Sequence, residues 1–145
     1  VEGAPPAFFN FAAGRASVEA TAAREPVMTV RLSAADWERL VTGQVAGGFL
    51  DGGGRSGFGK SRLDRLTPLR GTVRFCLTGL ASGGDWSVDI GLNGPPEEPK
   101  ATISMPAEVA AEIQAGKLNP QMAFMQGKVK MQGDAGLVMQ FGMAM

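Results

Sequence analysis

The chain has 145 residues, 44% of them apolar, enough for one ordinary domain with a real core and too many for disorder. Its 14 Lys and Arg balance 14 Asp and Glu, so no basic excess marks a nucleic-acid surface. There is no His and no Tyr, and Cys76 is the single cysteine, which removes the commonest general base, the commonest metal ligand, any disulfide within the chain and any cysteine metal cluster. A reducing, cytoplasmic setting is the default for such a composition, and no apolar run approaches the roughly 18 residues of a membrane span.

The first 27 residues mix prolines, phenylalanines and small residues without a readable period. "MTVRLSAADWERLVTGQ" at 28–44 then gives a strand followed by an amphipathic helix. Ser33 is the N-cap of that helix, with Asp36 at the capping-box position where Glu is usual. Trp37 shares the helix with Leu40 and Val41, and either packs between the two halves of the chain or docks a partner. "GRSGFGKS" from Gly54 to Ser61 fits the phosphate-loop pattern G-x-x-x-x-G-K-[ST].

From residue 71 the pattern sharpens. "GTVRFCLTG" alternates, with Val73, Phe75 and Leu77 together. "DWSVDIGL" alternates again, with Trp86, Val88 and Ile90 on one face, and the turn-like "LASGG" makes a hairpin of the two. "NGPPEEP" is a loop, and "KATISM" is a third strand. Pro106 suits the first turn of a helix that runs through "AEVAAEIQAG" and stops at Gly116. "NPQMAFMQG" is a shorter helix, with Asn119 as cap and Gly127 as stop. "KVKMQG" is a fourth strand, and "DAGLVMQFGMAM" is apolar enough to be either strand or helix.

The first half repeats this order in weaker form. "GRASVEA" at 14–20 matches "GDWSVDI" at 84–90, and "MTVRLSAADWERLVTGQ" matches "ATISMPAEVAAEIQAGK" at 101–117. Gly43 then falls on Gly116, and "PAFFNFAAG" stands where "VRFCLTG" stands. The expected organisation is a diverged half at 1–70 and a well-preserved unit at 71–145, packed together. On this alignment "GRSGFGKS" overlies "GKVKMQGD" at 127–134. A phosphate loop needs a buried strand before it and a helix after it. Here "VAGGFLDGG" precedes it with four glycines, and "SRLDRLTPLRG" follows with about two turns before Pro68. Asp89, the nearest carboxylate for a magnesium ion, sits inside an alternating hairpin. A nucleotide site at Gly54–Ser61 therefore ranks behind the readings below.

Residues 119–134, "NPQMAFMQGKVKMQGD", resemble the signature of the sterol carrier protein type 2 family, approximately G-K-L-x-P-x-x-A-F-x-x-G-K-[LV]-K-x-x-G. Gly116, Lys117, Leu118, Pro120, Ala123, Phe124, Gly127, Lys128, Val129, Lys130 and Gly133 occupy its places. The resemblance covers 71–145 well and 7–66 as a diverged copy. It implies an α+β fold in which an antiparallel five-stranded-type sheet is covered by helices, with an apolar tunnel between them. Members of the family bind fatty acids, acyl-CoA esters or sterols without chemical change. The family's long N-terminal helix has no evident counterpart here, because "LDRLTPLR" at 63–70 is far shorter.

Within that frame, the lipid-binding candidates are Phe75, Leu77, Trp86, Val88, Ile103, Met105, Val109, Ile113, Leu118, Met122, Met125, Leu137, Met139 and Phe141. The competing expectation is that these side chains form a closed core. Phe124 reads as an anchor of the short helix in the "AF" pair. Lys117, Lys128 and Lys130 either solvate a strand face and blunt an edge or meet an anionic group or membrane surface. The expected function is non-catalytic binding or transfer of a hydrophobic small molecule, with no cofactor, no metal and no nucleic acid. Transient membrane contact and a homodimer are its possible associations. The alternative is a structural or oligomerisation module with a filled core.

Overall fold

The computed structural model describes residues 3, 5, 7–12, 15–21, 25–45 and 64–144. "GRSGFGKS" lies outside the described residues. Strands β1 (Phe8–Ala12) and β2 (Arg15–Glu19) form an antiparallel pair, followed by β3 (Met28–Arg31) and α1 (Ala34–Val41). After a helical turn at 64–66 come β4 (Gly71–Thr78), β5 (Trp86–Leu92) and β6 (Ala101–Pro106). The chain continues through α2 (Ala107–Gln114), α3 (Pro120–Met125), β7 (Lys130–Gly133) and α4 (Ala135–Ala144).

Five strands make the main sheet, in the order β3-β5-β4-β6-β7. Its pairs are antiparallel except β4–β6, which is parallel. The sheet is thus mixed, where the expectation was antiparallel. Alternation fixes which face a side chain takes, and it reads the same for either strand direction. The parallel pair follows from connectivity: the chain leaves β5, crosses β4 and lays β6 on the far side of β4.

Register puts the apolar side chains on one face. Phe75 stands opposite Val88 on one side and Ile103 on the other, and Leu77 stands between Trp86 and Met105. Val30 faces Ile90 from β3, and Met131 faces Ile103 from β7. α2 and α4 pack on β4 and β6, while α1 packs on β5. The inner side of α4 contributes Leu137, Val138, Phe141 and Ala144 to the core. The rings of Phe75 and Phe141 meet at 5.9 Å, tilted by 52°.

The ends of the helices follow local chemistry. The Ser33 hydroxyl accepts from the Asp36 N–H at 3.0 Å and donates to the Asp36 carboxylate at 2.9 Å. Half of the expected capping box is therefore present. Asp is one methylene shorter than Glu and turns to the Ser hydroxyl instead of the cap's own N–H. α1, α2 and α3 each end the same way. After α2, Gly116 takes φ 70 and donates to the Ile113 carbonyl, while the Lys117 N–H reaches the Glu112 carbonyl. Gly43 and Gly127 close α1 and α3 with the same pair of bonds. Pro106 differs from expectation: it ends β6 as the N-cap of α2, with φ −60 and ψ 144, rather than sitting in the first turn. "DAGLVMQFGMAM" is helical over Ala135–Ala144, and "KVKMQG" is a strand only over its last four residues. Gly133, the last glycine of the signature, has φ 83, and a Cβ there would overlap the Lys100 carbonyl oxygen.

Candidate functional site

The lipid-binding candidates separate into three environments. Phe75, Leu77, Trp86, Val88, Ile103, Leu137 and Phe141 are buried in one core cluster, with Met105 partly buried against it. They pack against one another between the sheet, α2 and α4. Val109 is buried on α2, and Ile113 and Leu118 are half-buried near its end. Met122, Met125 and Met139 stand at the surface. Phe124 is half exposed too, so the "AF" pair anchors α3 through Ala123, which is fully buried, and not through Phe124. Trp37 is likewise half exposed; its neighbour Leu40 is the residue of α1 that packs against the core.

Trp86 brings a polar atom, its indole nitrogen, to the apolar face. Its indole N–H donates to the Asp36 carbonyl at 2.9 Å. A bond from the second half of the chain to the first thus satisfies a side chain that is 1% exposed.

The opposite face of the sheet holds a charged cluster that the sequence reasoning did not assemble. Arg31 on β3, Asp89 on β5 and Arg74 on β4 share one row, because Arg31 and Arg74 both stand opposite Asp89 in register. Arg74 Nε donates to Asp89 Oδ1 at 2.6 Å, and its Nη2 donates to Oδ2 at 2.9 Å. Arg31 Nη2 donates to Oδ2 at 2.9 Å, and its Nη1 donates to the Pro96 carbonyl at 3.1 Å. Burial pushes the Asp89 carboxyl up, but the hydrogen bonds and charges of Arg74 and Arg31 outweigh it and hold the group below the usual carboxylate range. The bond to Asp89 raises the Arg74 guanidinium further, against the effect of its own burial. On the same face, burial pushes the Cys76 thiol up and so disfavours the reactive thiolate, with the positive charge of Arg74 opposing the shift. A signal was available: each of the three strands has a single charged residue, and neighbouring strands have opposite signs.

A pocket of about 160 Å³ opens beside this row, lined by Arg31, Leu32, Ser33, Asp36, Arg74, Ser87 and Asp89. It is polar and lies across the sheet from the apolar candidates. Among the described residues, no group of three or more His, Cys, Asp or Glu is placed to hold a metal ion. No described helix is long and apolar enough to cross a membrane.

A helix-covered mixed sheet with one apolar and one charged face places the chain among α+β proteins. The model of the SCP-2 sterol transfer family matches residues 57–145, and the chain belongs to that family. A segment of 84 residues is 35% identical to hydroxysteroid dehydrogenase-like protein 2 of Xenopus laevis, covering 53% of this chain and 20% of that protein. The corresponding protein of Bos taurus is 31% identical over 84 residues, with the same coverage. The match thus spans about a fifth of these relatives. Among solved structures, the sterol carrier protein domain 2 of Helicoverpa armigera is 33% identical, covers 50% of this chain and 63% of its own, and gives a TM-score of 0.39. Sterol carrier protein 2 like 2 of Aedes aegypti is 19% identical, covers 77% of this chain and 97% of its own, and gives 0.45.

Proposed function

We propose that this chain binds a lipid with a long apolar part, a fatty acid, acyl-CoA or sterol-like molecule, reversibly and without changing it chemically. The observation that carries this reading is the character of α4. Its sequence AGLVMQFGMA has Gln140 as its one polar side chain, so the helix is apolar around its circumference. Its inner side sits on the Phe75–Ile103 face, while Met139 and Met143 remain exposed on the other. A helix apolar on all sides is normally buried on all sides. α4 can therefore part from the sheet over an acyl chain and keep apolar contact throughout. Membership of the SCP-2 sterol transfer family supports the same reading. Each ligand methylene buried there contributes roughly 0.8 kcal/mol, less the cost of association.

The absence of chemistry is part of the proposal. Asp89, the buried carboxylate, is occupied by two guanidiniums and held ionised, which makes it a poor proton donor at neutral pH. The partly buried free thiol of Cys76 supports a reducing, cytoplasmic setting. We also read the first 70 residues as a diverged copy of the second part. The strand-helix unit of β3 and α1 ends at Gly43 with the same cap that ends β6 and α2 at Gly116. The two strands enter the sheet differently, β3 antiparallel to β5 and β6 parallel to β4.

The test is titration of delipidated protein with a fluorescent fatty acid. Saturable binding, displaced by unlabelled fatty acid, is expected. Absence of saturable binding to fatty acid, acyl-CoA and sterol alike overturns the reading. The close packing of Phe75, Val88, Ile103 and Phe141 favours a second one, a structural or oligomerisation module with a filled core. Native mass spectrometry separates the two: bound lipid mass supports the first, and a ligand-free stable oligomer supports the second.

A further inference from the structure

We propose that α3 and the lysines around it form a docking surface for an anionic lipid bilayer. Successive side chains on a helix are about 100° apart. Ala123, 0% exposed, sets the inward direction. Met122 and Phe124 flank it and are 49% and 47% exposed, while Met125 points outward at 80%. The helix therefore carries its smallest apolar residue inside and its three largest outside, the reverse of an ordinary surface helix.

The segment is held in this form before it meets anything. Asn119 Oδ1 accepts from the Gln121 N–H at 2.8 Å at one end. At the other, the Gly127 N–H donates to the Phe124 carbonyl and the Lys128 N–H to the Ala123 carbonyl, each at 2.9 Å. The outward methionines and phenylalanine are thus presented on a capped turn.

Charge selects the partner. The whole chain is neutral, yet residues 116–133 carry Lys117, Lys128 and Lys130 and no Asp or Glu. All three lysines are exposed. Lys128 approaches Glu112 at 3.9 Å, and with both side chains about half exposed the pair constrains it little. Exposed apolar side chains on a turn flanked in sequence by exposed lysines match a bilayer whose headgroups are negative and whose acyl region lies just beneath. A second copy of this chain fits less well. A two-fold contact through α3 would set the lysines of one copy against the same lysines of the other. This docking does not depend on a lipid entering the core, so each idea can fail alone.

The experiment is cosedimentation of the full chain with vesicles of phosphatidylcholine alone and of phosphatidylcholine mixed with phosphatidylserine. Binding to the mixed vesicles only, released by high salt, is expected. Met122→Ser with Met125→Ser lowers it by about tenfold, and Lys117→Gln or Lys130→Gln by about fivefold per lysine. Far-UV circular dichroism melting stays near that of the parent, because these side chains are exposed; the lysine variants decide the matter if the methionine variant melts early. The proposal is overturned by absence of vesicle binding, by binding equal on both vesicle types, or by variants that bind like the parent. It is also overturned if the protein is a dimer without vesicles that Met125→Ser dissociates.

Discussion

Arg74 grips Asp89 side-on, with Nε at 2.6 Å from Oδ1 and Nη2 at 2.9 Å from Oδ2. The Asp89 side chain is 6% exposed, whereas the two arginine side chains that reach it are about 40% exposed. Water therefore still solvates the positive partners, and the cluster resembles a half-buried ion pair more than a sealed one. Asp89→Ala leaves two arginines without their shared acceptor and is expected to cost about 2 kcal/mol. Arg74→Ala is expected to cost less, about 1 kcal/mol, because Arg31 still holds Oδ2. A double-mutant cycle by urea denaturation checks the pair. Additive losses would show that the geometry carries no coupling.

The same pair sets a pH dependence. Asp89 is held below its ordinary value in the folded chain, so the unfolded chain takes up its proton first as pH falls. The contribution is fully present above about pH 4, the unfolded carboxyl value. It is lost as pH drops through the lower folded value. Urea midpoints measured from pH 5 downward should fall more steeply for the natural chain than for Asp89→Asn. Parallel curves would remove Asp89 from the account.

Much of this architecture was legible, and the reasons are particular. Val73, Phe75 and Leu77 alternate because one face of β4 is buried and the other is not. Gly116 and Gly127 mark helix ends because their caps need positive φ. α4 was ambiguous because a segment apolar on every side has no period to read. The Asp89 row was missed because a lone charge mid-strand gains meaning only from the residue opposite it, and register is a tertiary fact. The outward face of α3 was hidden for a related reason. Six residues are too few for periodicity to say which of Ala123 and Phe124 turns inward.

Trp86 tests whether the two halves stand alone. Its indole N–H is satisfied by Asp36, and Leu32 and Val45 from the first half are buried in the common core. β3 also covers one edge of β5. A fragment of 71–145 would lose all three. It is expected to show red-shifted Trp86 emission and no cooperative urea transition. A sharp transition with blue-shifted emission would instead make 71–145 an independent domain.

Phe141 links stability to the proposed ligand. Its ring lies 5.9 Å from that of Phe75, at the contact of α4 with the sheet. Phe141→Ala removes a ring that is 5% exposed and is expected to cost about 3 kcal/mol in the delipidated protein. If a fatty acid enters between α4 and the sheet, its chain fills part of the space the ring vacates. The cost measured at saturating fatty acid should then shrink, because a ligand that binds the folded state with more contact stabilises it more. Thermal melts of parent and variant, each with and without fatty acid, give the comparison. An equal loss in both conditions would place the ligand away from Phe141 and take α4 out of the binding mechanism.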